Sequence, residues 1–507
     1  MVSFNKVRIL SRKSDLAIIQ AKEIGNILQK KNTNLKIEYI LKSTSGDKDL
    51  NTPLSEMPTP GVFTDDLRND LINKKCDIVV HSWKDLPLDT GNKTFIAATL
   101  ERADQRDILF VKKKNILKIK KNKSISILSS APRRIYNLES FARDYLPFEI
   151  NRVDFKNIRG NIPTRFDKFI NGSDDGFVVA KAALDRLLIN DIKKYIPLSK
   201  LINSYIDKCY WTITPLSINP TSPGQGALAC EVRTEDTFIR KIMEEINNKD
   251  DYECVKKERE ILKKYGGGCH QKIGVSFFNM PFGLIKSEKG ETDSGDSFYS
   301  WEIKDNDDLK EKVSKNEVYP YSLKDYKLFS RVELKESIHS INSLRKYCIL
   351  IARNNSLPNE AKIDESNIVW TSGLNTWKSL SKRGIWVNGS SDGMGENSKT
   401  RIESLSTKPW IKLTHADAPK SKITKMIPTY KLLELPITDN INDKKHFFWM
   451  SSSAFKYVNK TFPNIIDANH YCGPGNTYEE IKKIIKDPNK LRIALSYKDW
   501  KKNLLND

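Results

Sequence analysis

Short apolar runs alternate with amphipathic segments along the first half of the chain. Residues 6–14 have the pattern of a short strand that ends in polar side chains, and residues 15–24 follow with apolar positions at helical spacing. The same order returns as a strand pattern at 35–41, a helical pattern at 64–73 and a short apolar stretch at 76–81. Strands that alternate with helices predict a parallel or mixed sheet covered on both faces. Ligands of such folds collect where strand ends open into loops.

A second α/β cycle follows, and a crossover leads from it into a smaller third region. The patterns predict, in order, strands at 108–111, 126–130 and 176–180, a helix at 181–188, a turn-rich crossover at 220–226, a strand at 227–232 and a helix at 251–264. The last helix stops at three glycines. The polar residues 286–308 predict a loop or insertion, and a composition shift near 335–345 predicts a domain boundary.

Composition narrows the class of protein. Of 507 residues, 38% are hydrophobic and 29% charged, which excludes collagen-like, wholly disordered and disulfide-scaffold classes. No apolar run approaches the roughly 18 residues of a membrane span, and the N-terminus lacks a secretory pattern, so we expect a cytoplasmic protein without a membrane partner. Seven scattered cysteines with no C-x-x-C pair predict reduced thiols and no metal site.

The formal net charge of +21 calls for an anionic partner, which could be nucleic acid, an anionic membrane or a polycarboxylate. Part of this charge lies in lysine runs at 112–114 and 118–123, which are typical of solvated surface. The arginines are accompanied by no helix-turn-helix, zinc-finger or aromatic RNA-binding signature and by no phosphate-binding loop. We therefore expect no nucleic-acid partner; nucleic-acid binding through the net charge is the alternative, and it would require a steep dependence on salt.

Cys269 directly follows a helix end and the glycines 266–268. A lone cysteine is usually a small buried hydrophobic residue. Three glycines, however, allow positive φ angles and close backbone approach, which would place this cysteine on an open and mobile loop. A thiolate exposed there could attack an electrophile.

Lys84 and Asp85 follow a short apolar strand and precede Pro87, which ends the regular structure. Such a pair can be an exposed ion pair of little energetic value. The alternative is that the strand delivers both charges to the mouth of a cleft, where a partly desolvated carboxylate holds positive charge or relays protons.

A set of arginines stands singly among glycines and short strands. Its members are Arg12, Arg133, Arg134, Arg159, Arg165 and Arg186. Guanidinium groups bind carboxylates bidentately, and hydrogen bonds to charged groups contribute roughly 1.5–3 kcal/mol each. Several that converge would hold a polycarboxylate, with phosphate as the competing anion.

Taken in order, these segments resemble the porphobilinogen deaminase family, also called hydroxymethylbilane synthase, over roughly residues 5–280. The motifs that carry the resemblance are Arg12-Lys13-Ser14, residues 77–87, residues 102–107, Arg133-Arg134, Arg159-Gly160-Asn161, Thr164-Arg165, residues 224–228 and Gly267-Gly268-Cys269. By analogy the fold is α/β, with two lobes like those of periplasmic binding proteins, a small α+β third domain and a C-terminal α/β region. The corresponding domains are 1–106 with 226–245 (lobe 1), 107–225 (lobe 2), 246–338 (the small cofactor-carrying domain) and 339–507 (the C-terminal domain).

The resemblance implies a dipyrromethane cofactor attached to Cys269 by a thioether, which primes the addition of four porphobilinogen units with loss of ammonia. Each step gives an electrophilic azafulvene, and Asp85 would be the catalytic residue that stabilises the developing positive charge. Positions that match cofactor-binding residues are Cys269, Ser14, Lys84, Asp85, Ser129, Ser130, Arg133 and Arg134. Positions assigned to substrate are Arg12, Arg159, Arg165, Arg186 and Gln225. Porphobilinogen is the expected small-molecule partner, and a monomer is expected.

The chain departs from the family pattern at two places. Ala131-Pro132 stands where the family usually has a Ser-Leu pair, and Pro163 replaces a usual glycine or polar residue. Pro132 has no N–H and biases Ala131 away from helical geometry, so we expect one backbone contact to differ while activity is kept.

Four segments of the C-terminal third, 368–377, 428–430, 447–454 and 472–477, resemble uroporphyrinogen-III synthase in the right order. They are short strands that end in hydroxyl residues able to bind propionates, and the candidates are Tyr430, Thr371, Ser372, Ser452 and Thr477. The region is short for that family, and such strand ends also occur in ordinary α/β domains. A fused synthase would gain from a raised effective concentration of its substrate.

The resemblance therefore implies a hydroxymethylbilane synthase, with uroporphyrinogen-III synthase activity expected in its C-terminal third. A deaminase with a merely structural C-terminal domain is one alternative. A non-catalytic solute-binding module is another, because two such lobes would also suit a receptor in which Cys269 has no role.

Overall fold

A computed structural model describes residues 6–43, 64–89, 91–267, 271–304, 313–324, 326–419, 423 and 425–505. The chain divides into two compact units. Unit 1 comprises Met1–Arg143, Glu149–Asn279 and Ile285–Trp301, and unit 2 comprises Asp144–Phe148, Met280–Leu284 and Glu302–Asp507. Within the described ranges, no helix combines the length and the apolar character that a bilayer crossing requires. The cysteines in these ranges are all buried and unpaired.

The first sheet of unit 1 has five strands in the order β2-β1-β3-β10-β4. These are β1 (Lys6–Arg12), β2 (Lys36–Lys42), β3 (Ile78–Ser82), β4 (Thr94–Ala98) and β10 (Leu228–Arg233), with helices α1 (Asp15–Lys31), α2 (Asp65–Ile72) and α8 (Thr237–Glu244). The first three strands run parallel, and β10 returns antiparallel between β3 and β4. Helix α1 starts where the polar Ser14 caps it, and its apolar face packs on the sheet through Ile24 and Leu28.

The second sheet of unit 1 also has five strands, in the order β7-β6-β8-β5-β9. They are β5 (Asp107–Lys112), β6 (Ser124–Leu128), β7 (Arg152–Lys156), β8 (Gly176–Ala180) and β9 (Cys209–Ile213), with helices α3 (Ile116–Asn122), α4 (Pro132–Tyr145), α5 (Ile162–Asn171), α6 (Lys181–Leu188) and α7 (Ile196–Ile206). Every residue of β5 and β8 is buried. Two α/β lobes were expected from the sequence, and both are confirmed.

The third part of unit 1 is a helix followed by a three-stranded sheet. It contains α9 (Lys249–Lys264), β11 (Gly274–Met280), β12 (Gly283–Glu291) and β13 (Ser297–Lys304). The loop predicted at 286–308 is therefore wrong for residues 286–291 and 297–304, which lie in strands, while 305–308 fall outside the described residues. Polar side chains of β12 have partners: the Ser287 hydroxyl donates to the carbonyl of Leu216, in the turn after β9, and Lys286 pairs with Glu288.

Unit 2 contains two further sheets. The terminal half has parallel strands in the order β14-β21-β22-β23, and the inserted half has the order β15-β20-β19-β16-β17-β18. The strands are β14 (Val318–Tyr319), β15 (Phe329–Glu333), β16 (Cys348–Ile351), β17 (Ile368–Thr371), β18 (Gly389–Ser390), β19 (Trp410–His415), β20 (Met426–Glu434), β21 (His446–Trp449), β22 (Asn469–Cys472) and β23 (Leu491–Ile493). The helices are α10 (Glu336–Asn342), α11 (Leu374–Lys382), α12 (Ser452–Thr461), α13 (Asn476–Lys482) and α14 (Tyr497–Leu505).

The chain enters the inserted half through β15 and leaves it through β20, and these two strands pair antiparallel along their length. Because β14 and β15 pair with strands of unit 2, the C-terminal domain starts before residue 339. The boundary predicted between 338 and 339 is thus placed too late. Strand β14 has only two residues, so no periodicity marks it in the sequence.

Candidate active site

Asp107, at the start of β5, is fully buried and holds two arginines in unit 1. Arg134 donates to both of its oxygens at 3.1 and 2.7 Å, and Arg133 donates at 2.9 Å. Gln225 and Asn219 add amide donors at 2.8 and 3.1 Å. Burial alone would raise the pKa of Asp107, but the two guanidiniums hold it far below its usual range. The carboxylate is therefore ionised and fixes this end of helix α4.

Gln225 connects the hydrogen-bond network of Asp107 to Lys84, one of the predicted site residues. Its amide nitrogen donates to Asp107 and to the Gln105 carbonyl, and its amide oxygen accepts from Lys84 at 3.4 Å. Burial lowers the pKa of Lys84, while nearby Asp85 acts in the opposite direction and Arg134 adds to the lowering. Lys84 and Asp85 thus lie within electrostatic reach of the Asp107 network.

The backbone that carries Lys84 and Asp85 is a 3-10 turn at the end of β3, and it is fixed from two sides. Arg259 of α9 donates to the carbonyls of Trp83, Leu86 and Pro87. Gly224, at φ +79°, packs against the turn so closely that a Cβ there would lie 3.1 Å from the Lys84 nitrogen. Asp85 itself is exposed. An exposed carboxylate is therefore presented from a backbone that is held from two sides.

Arg159 and Arg165, from the loop and helix after β7, form a charged cluster with Lys84, Asp85 and Arg134. Arg165 donates to the Gly160 carbonyl at 2.6 Å. Burial, followed by the positive charges of Arg134 and Arg159, lowers the pKa of Arg165 to about 10, and Asp85 opposes this. One terminal nitrogen of Arg159 is buried without a hydrogen-bond partner among the described residues. Cations thus outnumber carboxylates here, which favours an anionic ligand.

The two predicted serines of lobe 2 behave differently. Ser130 accepts from the Ile158 N–H at 2.8 Å and donates to its carbonyl at 2.9 Å, so it fixes the loop that leads to Arg159. The Ser129 hydroxyl is buried and lacks a partner among the described residues. Pro132 is the first residue of α4, where a missing N–H costs nothing, and Pro163 sits in the first turn of α5. Both departures from the family pattern are thus compatible with helix starts.

Other predicted residues lie in structural contacts or outside the described ranges. Arg133 also donates to Asn219 and to the Pro220 carbonyl, and Arg186 pairs with Glu23 at 2.9 Å and donates to the Gly226 carbonyl. Ser14 caps α1, and Arg12 is half-buried at the end of β1. Cys269 lies outside the described residues.

Glu258 is a buried carboxylate that the sequence pattern did not single out. Fully buried on α9, it accepts two hydrogen bonds from Arg102 at 2.7 and 2.9 Å, one from the Gly224 N–H and one from the Phe277 N–H. It therefore ties lobe 1, the crossover and the three-stranded sheet to the helix that precedes residues 268–270. Nothing in the charged pattern of α9 distinguishes Glu258 from its exposed neighbours.

The five candidates of unit 2 follow strand ends. Thr371 ends β17, Tyr430 lies on β20, Ser372 follows β17, Ser452 starts α12, and Thr477 lies in the first turn of α13. The Thr371 hydroxyl is buried with no partner among the described residues. One unpredicted histidine links two of the elements that carry these candidates.

That residue is His415, at the end of β19. Its ring lies 5.9 Å from the Tyr430 ring, and its Nε2 lies 3.4 Å from the hydroxyl of Ser453, next to Ser452 on α12. Burial lowers the pKa of His415, and Arg353 lowers it further. Arg353 in turn donates to the Met450 carbonyl, so a second contact joins the inserted half to the terminal half.

Comparison with known proteins connects the unit 1 site to one family. Residues 7–241 match the family model described as "Porphobilinogen deaminase, dipyromethane cofactor binding domain". The chain is 34% identical over 277 residues to porphobilinogen deaminase of Chlorobium phaeovibrioides, covering 54% of this chain and 80% of that protein. It is 33% identical over 269 residues to the enzyme of Alkaliphilus metalliredigens (53% and 77%) and 32% identical over 280 residues to that of Dictyostelium discoideum (54% and 78%).

Two solved structures show a distant similarity to this chain. A periplasmic sulfonate-binding protein of Methylobacillus flagellatus has a TM-score of 0.28 at 14% identity and covers 52% of this chain and 73% of its own. The VFT2 domain of BvgS from Bordetella pertussis has a TM-score of 0.25 at 13% identity, with 50% and 91% covered.

Proposed function

This chain belongs to the porphobilinogen deaminase family, and from that premise we propose that unit 1 joins porphobilinogen units with loss of ammonia at the cluster around Asp85. The family model matched is that of its dipyrromethane-binding domain, and covalent attachment of this cofactor to a cysteine is characteristic of the family. The observation that carries the proposal is an exposed carboxylate on a turn held from two sides, with the positive charges of Lys84 and Arg165 within electrostatic reach of it.

The residues of the cluster fit a dipyrromethane, whose rings carry acetate and propionate groups. Arg159 has a buried nitrogen without a partner, and Ser129 has a buried hydroxyl in the same condition among the described residues. Mutual repulsion of Arg134, Arg159 and Arg165 is relieved when carboxylates bind between them. When bound, the cofactor supplies the pyrrole carbon from which the product chain grows.

We assign separate tasks to the residues of this cluster. Asp85 accepts hydrogen bonds from pyrrole N–H groups of the substrate and stabilises the positive charge that develops as the amine departs. Lys84, Arg134, Arg159 and Arg165 bind carboxylates and fix the orientation of the substrate. Asp107, through Gln225, holds Lys84 in place. Arg133 and Arg186 donate hydrogen bonds to acceptors of the protein itself, so we assign them to holding the backbone of the site in place.

The attachment residue is tested by intact-protein mass spectrometry. We expect the wild-type chain, expressed with a normal supply of porphobilinogen, to carry an adduct of two pyrrole units, because the thiolate of Cys269 is the proposed nucleophile. Cys269→Ala should lose that adduct, and Cys254→Ala, which removes a buried thiol, should keep it. An unmodified wild-type mass would favour the solute-binding alternative instead.

For unit 2 we propose a second activity, the cyclisation of hydroxymethylbilane by a uroporphyrinogen-III synthase. What supports it is the chain path: a complete α/β sheet is inserted into another one through the antiparallel pair β15 and β20. Polar side chains of both halves meet where parallel strands end, as His415 does with Ser453. Thr371 and Ser452 would donate to propionates, and Tyr430 would line the same face.

Isomer analysis tests the second activity. Supplied with porphobilinogen alone, the whole chain should yield mainly the type III macrocycle, whereas a deaminase without such a C-terminal unit should yield type I by spontaneous closure. Tyr430→Phe should shift the product of the whole chain toward type I and leave the consumption of porphobilinogen unchanged. A type I product from the wild-type chain would leave unit 2 with a structural role.

A further inference from the structure

Lys412 and Glu396 form a buried ion pair inside unit 2. Lys412 lies on β19 between the buried Ile411 and Leu413, and only 5% of its side chain is exposed. Its Nζ lies 2.5 Å from a carboxylate oxygen of Glu396, which is 8% exposed. A lysine buried to this degree needs a carboxylate partner, because an unpaired charge there would cost several kcal/mol.

Glu396 reaches this position from the loop that follows β18 and spans to the terminal half. Its second carboxylate oxygen accepts from the side-chain amide of Asn476, the first residue of α13. One carboxylate is thus held by a cation of the inserted half and an amide donor of the terminal half. This is the donor set that a ligand carboxylate would need.

The loop is shaped for close contact with the terminal half. Gly395 and Gly475 have φ angles of +88° and +94°, and a Cβ built on Gly395 would lie 2.6 Å from the Gly475 Cα. No side chain fits at either position, so the two backbones touch directly beside the Glu396–Asn476 contact. The loop after β18 therefore closes against the terminal half at one defined point.

The surroundings of the pair are positively charged. Lys412 and Arg353 both act on the imidazole of His415, and Asp417 is the acidic group that acts on it with them. Tetrapyrrole precursors carry an acetate and a propionate on every pyrrole ring, so a cationic edge of this kind suits them. In the structure, the carboxylate of Glu396 occupies the position between Lys412 and Asn476.

We propose that Lys412 and Asn476 form a carboxylate-binding subsite for a polycarboxylate tetrapyrrole, and that Glu396 occupies it in the free protein as a built-in competitor. This inference rests on the proposed second activity for the class of its ligand. A carboxylate of the ligand displaces Glu396, and the loop after β18 then moves away from Gly475. The apparent Kd for the ligand is the intrinsic Kd divided by the fraction of molecules in which Glu396 leaves the subsite open.

The test measures the Kd of the full-length holoenzyme for uroporphyrin I, an octacarboxylate, by quenching of tryptophan fluorescence. Glu396→Gln keeps the shape and removes the competing charge, so it should bind on the order of tenfold more tightly. Glu403→Gln, an exposed change in the same loop, should bind as the wild type does. The paired variant Glu396→Gln with Lys412→Gln should lose the gain, and any uroporphyrin bound by unit 1 is common to all variants.

A Glu396→Gln variant that binds uroporphyrin no more tightly than the wild type overturns the proposal. Glu396 would then have only a structural role, joining the inserted half to the terminal half. If Glu396→Gln does not fold, Glu396→Asp decides, because its shorter side chain cannot reach both Lys412 and Asn476. It should then bind uroporphyrin more tightly, and an unchanged Kd would again overturn the proposal. The type III isomer assay fails or succeeds independently of this binding measurement, so the two proposals are separable.

Discussion

The Asp85→Asn variant is expected to lose at least about a hundredfold in turnover of porphobilinogen while it keeps the covalently bound cofactor. The amide has the shape of the carboxylate but no negative charge to set against the cation that develops as the amine leaves. Because Asp85 is exposed on a turn held by Arg259 and Gly224, the substitution leaves the fold unchanged. The measurement combines the initial rate of porphobilinogen consumption with the intact mass of the variant.

Asp89→Asn is the matched control for this experiment, since Asp89 is exposed in the same loop and its carboxylate accepts a hydrogen bond from the Gly91 N–H. It should turn over at nearly the wild-type rate. If Asp85→Asn also worked at close to the wild-type rate, the charge of Asp85 would have no part in the reaction.

The second large effect is expected from Asp107→Asn, which should destabilise unit 1 by about 3–5 kcal/mol. The carboxylate of Asp107 accepts hydrogen bonds from Arg133, Arg134, Asn219 and Gln225, and an amide there would turn its own N–H₂ toward those donors. Two buried guanidiniums would then lack a counter-charge. Urea unfolding of the variant and the wild type at neutral pH measures the difference.

The stabilisation that Asp107 provides is expected to depend on pH. The folded pKa of Asp107 is far below the value of roughly 3.9 for an unfolded chain, so its stabilisation is complete above that value and is lost as the pH falls toward the folded pKa. The difference between wild type and variant should therefore narrow below about pH 4. Asp154→Asn, on the exposed edge strand β7, is the control and should cost less than about 1 kcal/mol at any pH. A difference that stays constant down to pH 2 would contradict the role given to Asp107.

The alternation of apolar and amphipathic segments predicted the lobes of unit 1 because their central strands are continuous runs of buried apolar residues. Strand β8 and helix α6, for example, were expected at 176–180 and 181–188 and lie at Gly176–Ala180 and Lys181–Leu188. The chemistry of the turn at Lys84 and Asp85 was likewise visible, since a cation and a carboxylate follow directly on an apolar strand. The local sequence pattern therefore predicted both lobes and part of the candidate site.

Partners that are distant in the chain were not visible. Asp107 stood inside a recognised motif, but its pairing with Arg134 and Gln225 depends on the packing of three separate elements. Glu258 was likewise one acidic residue among many on α9, and only burial shows its importance. In unit 2, strand β14 is too short and β15 too polar for a periodicity, so the start of the unit was placed too late.

The path of the chain through unit 2 has a consequence for biosynthesis on the ribosome. Strand β14 emerges early, yet its sheet partner β21 is made only after the whole inserted half, and Trp500 and Leu504 of α14 then complete the core around Val318 and Phe448. The nascent terminal half must wait, with its apolar strand uncovered, until the last helix leaves the exit tunnel. Chaperones that shield nascent chains are thus expected to engage unit 2 longer than unit 1.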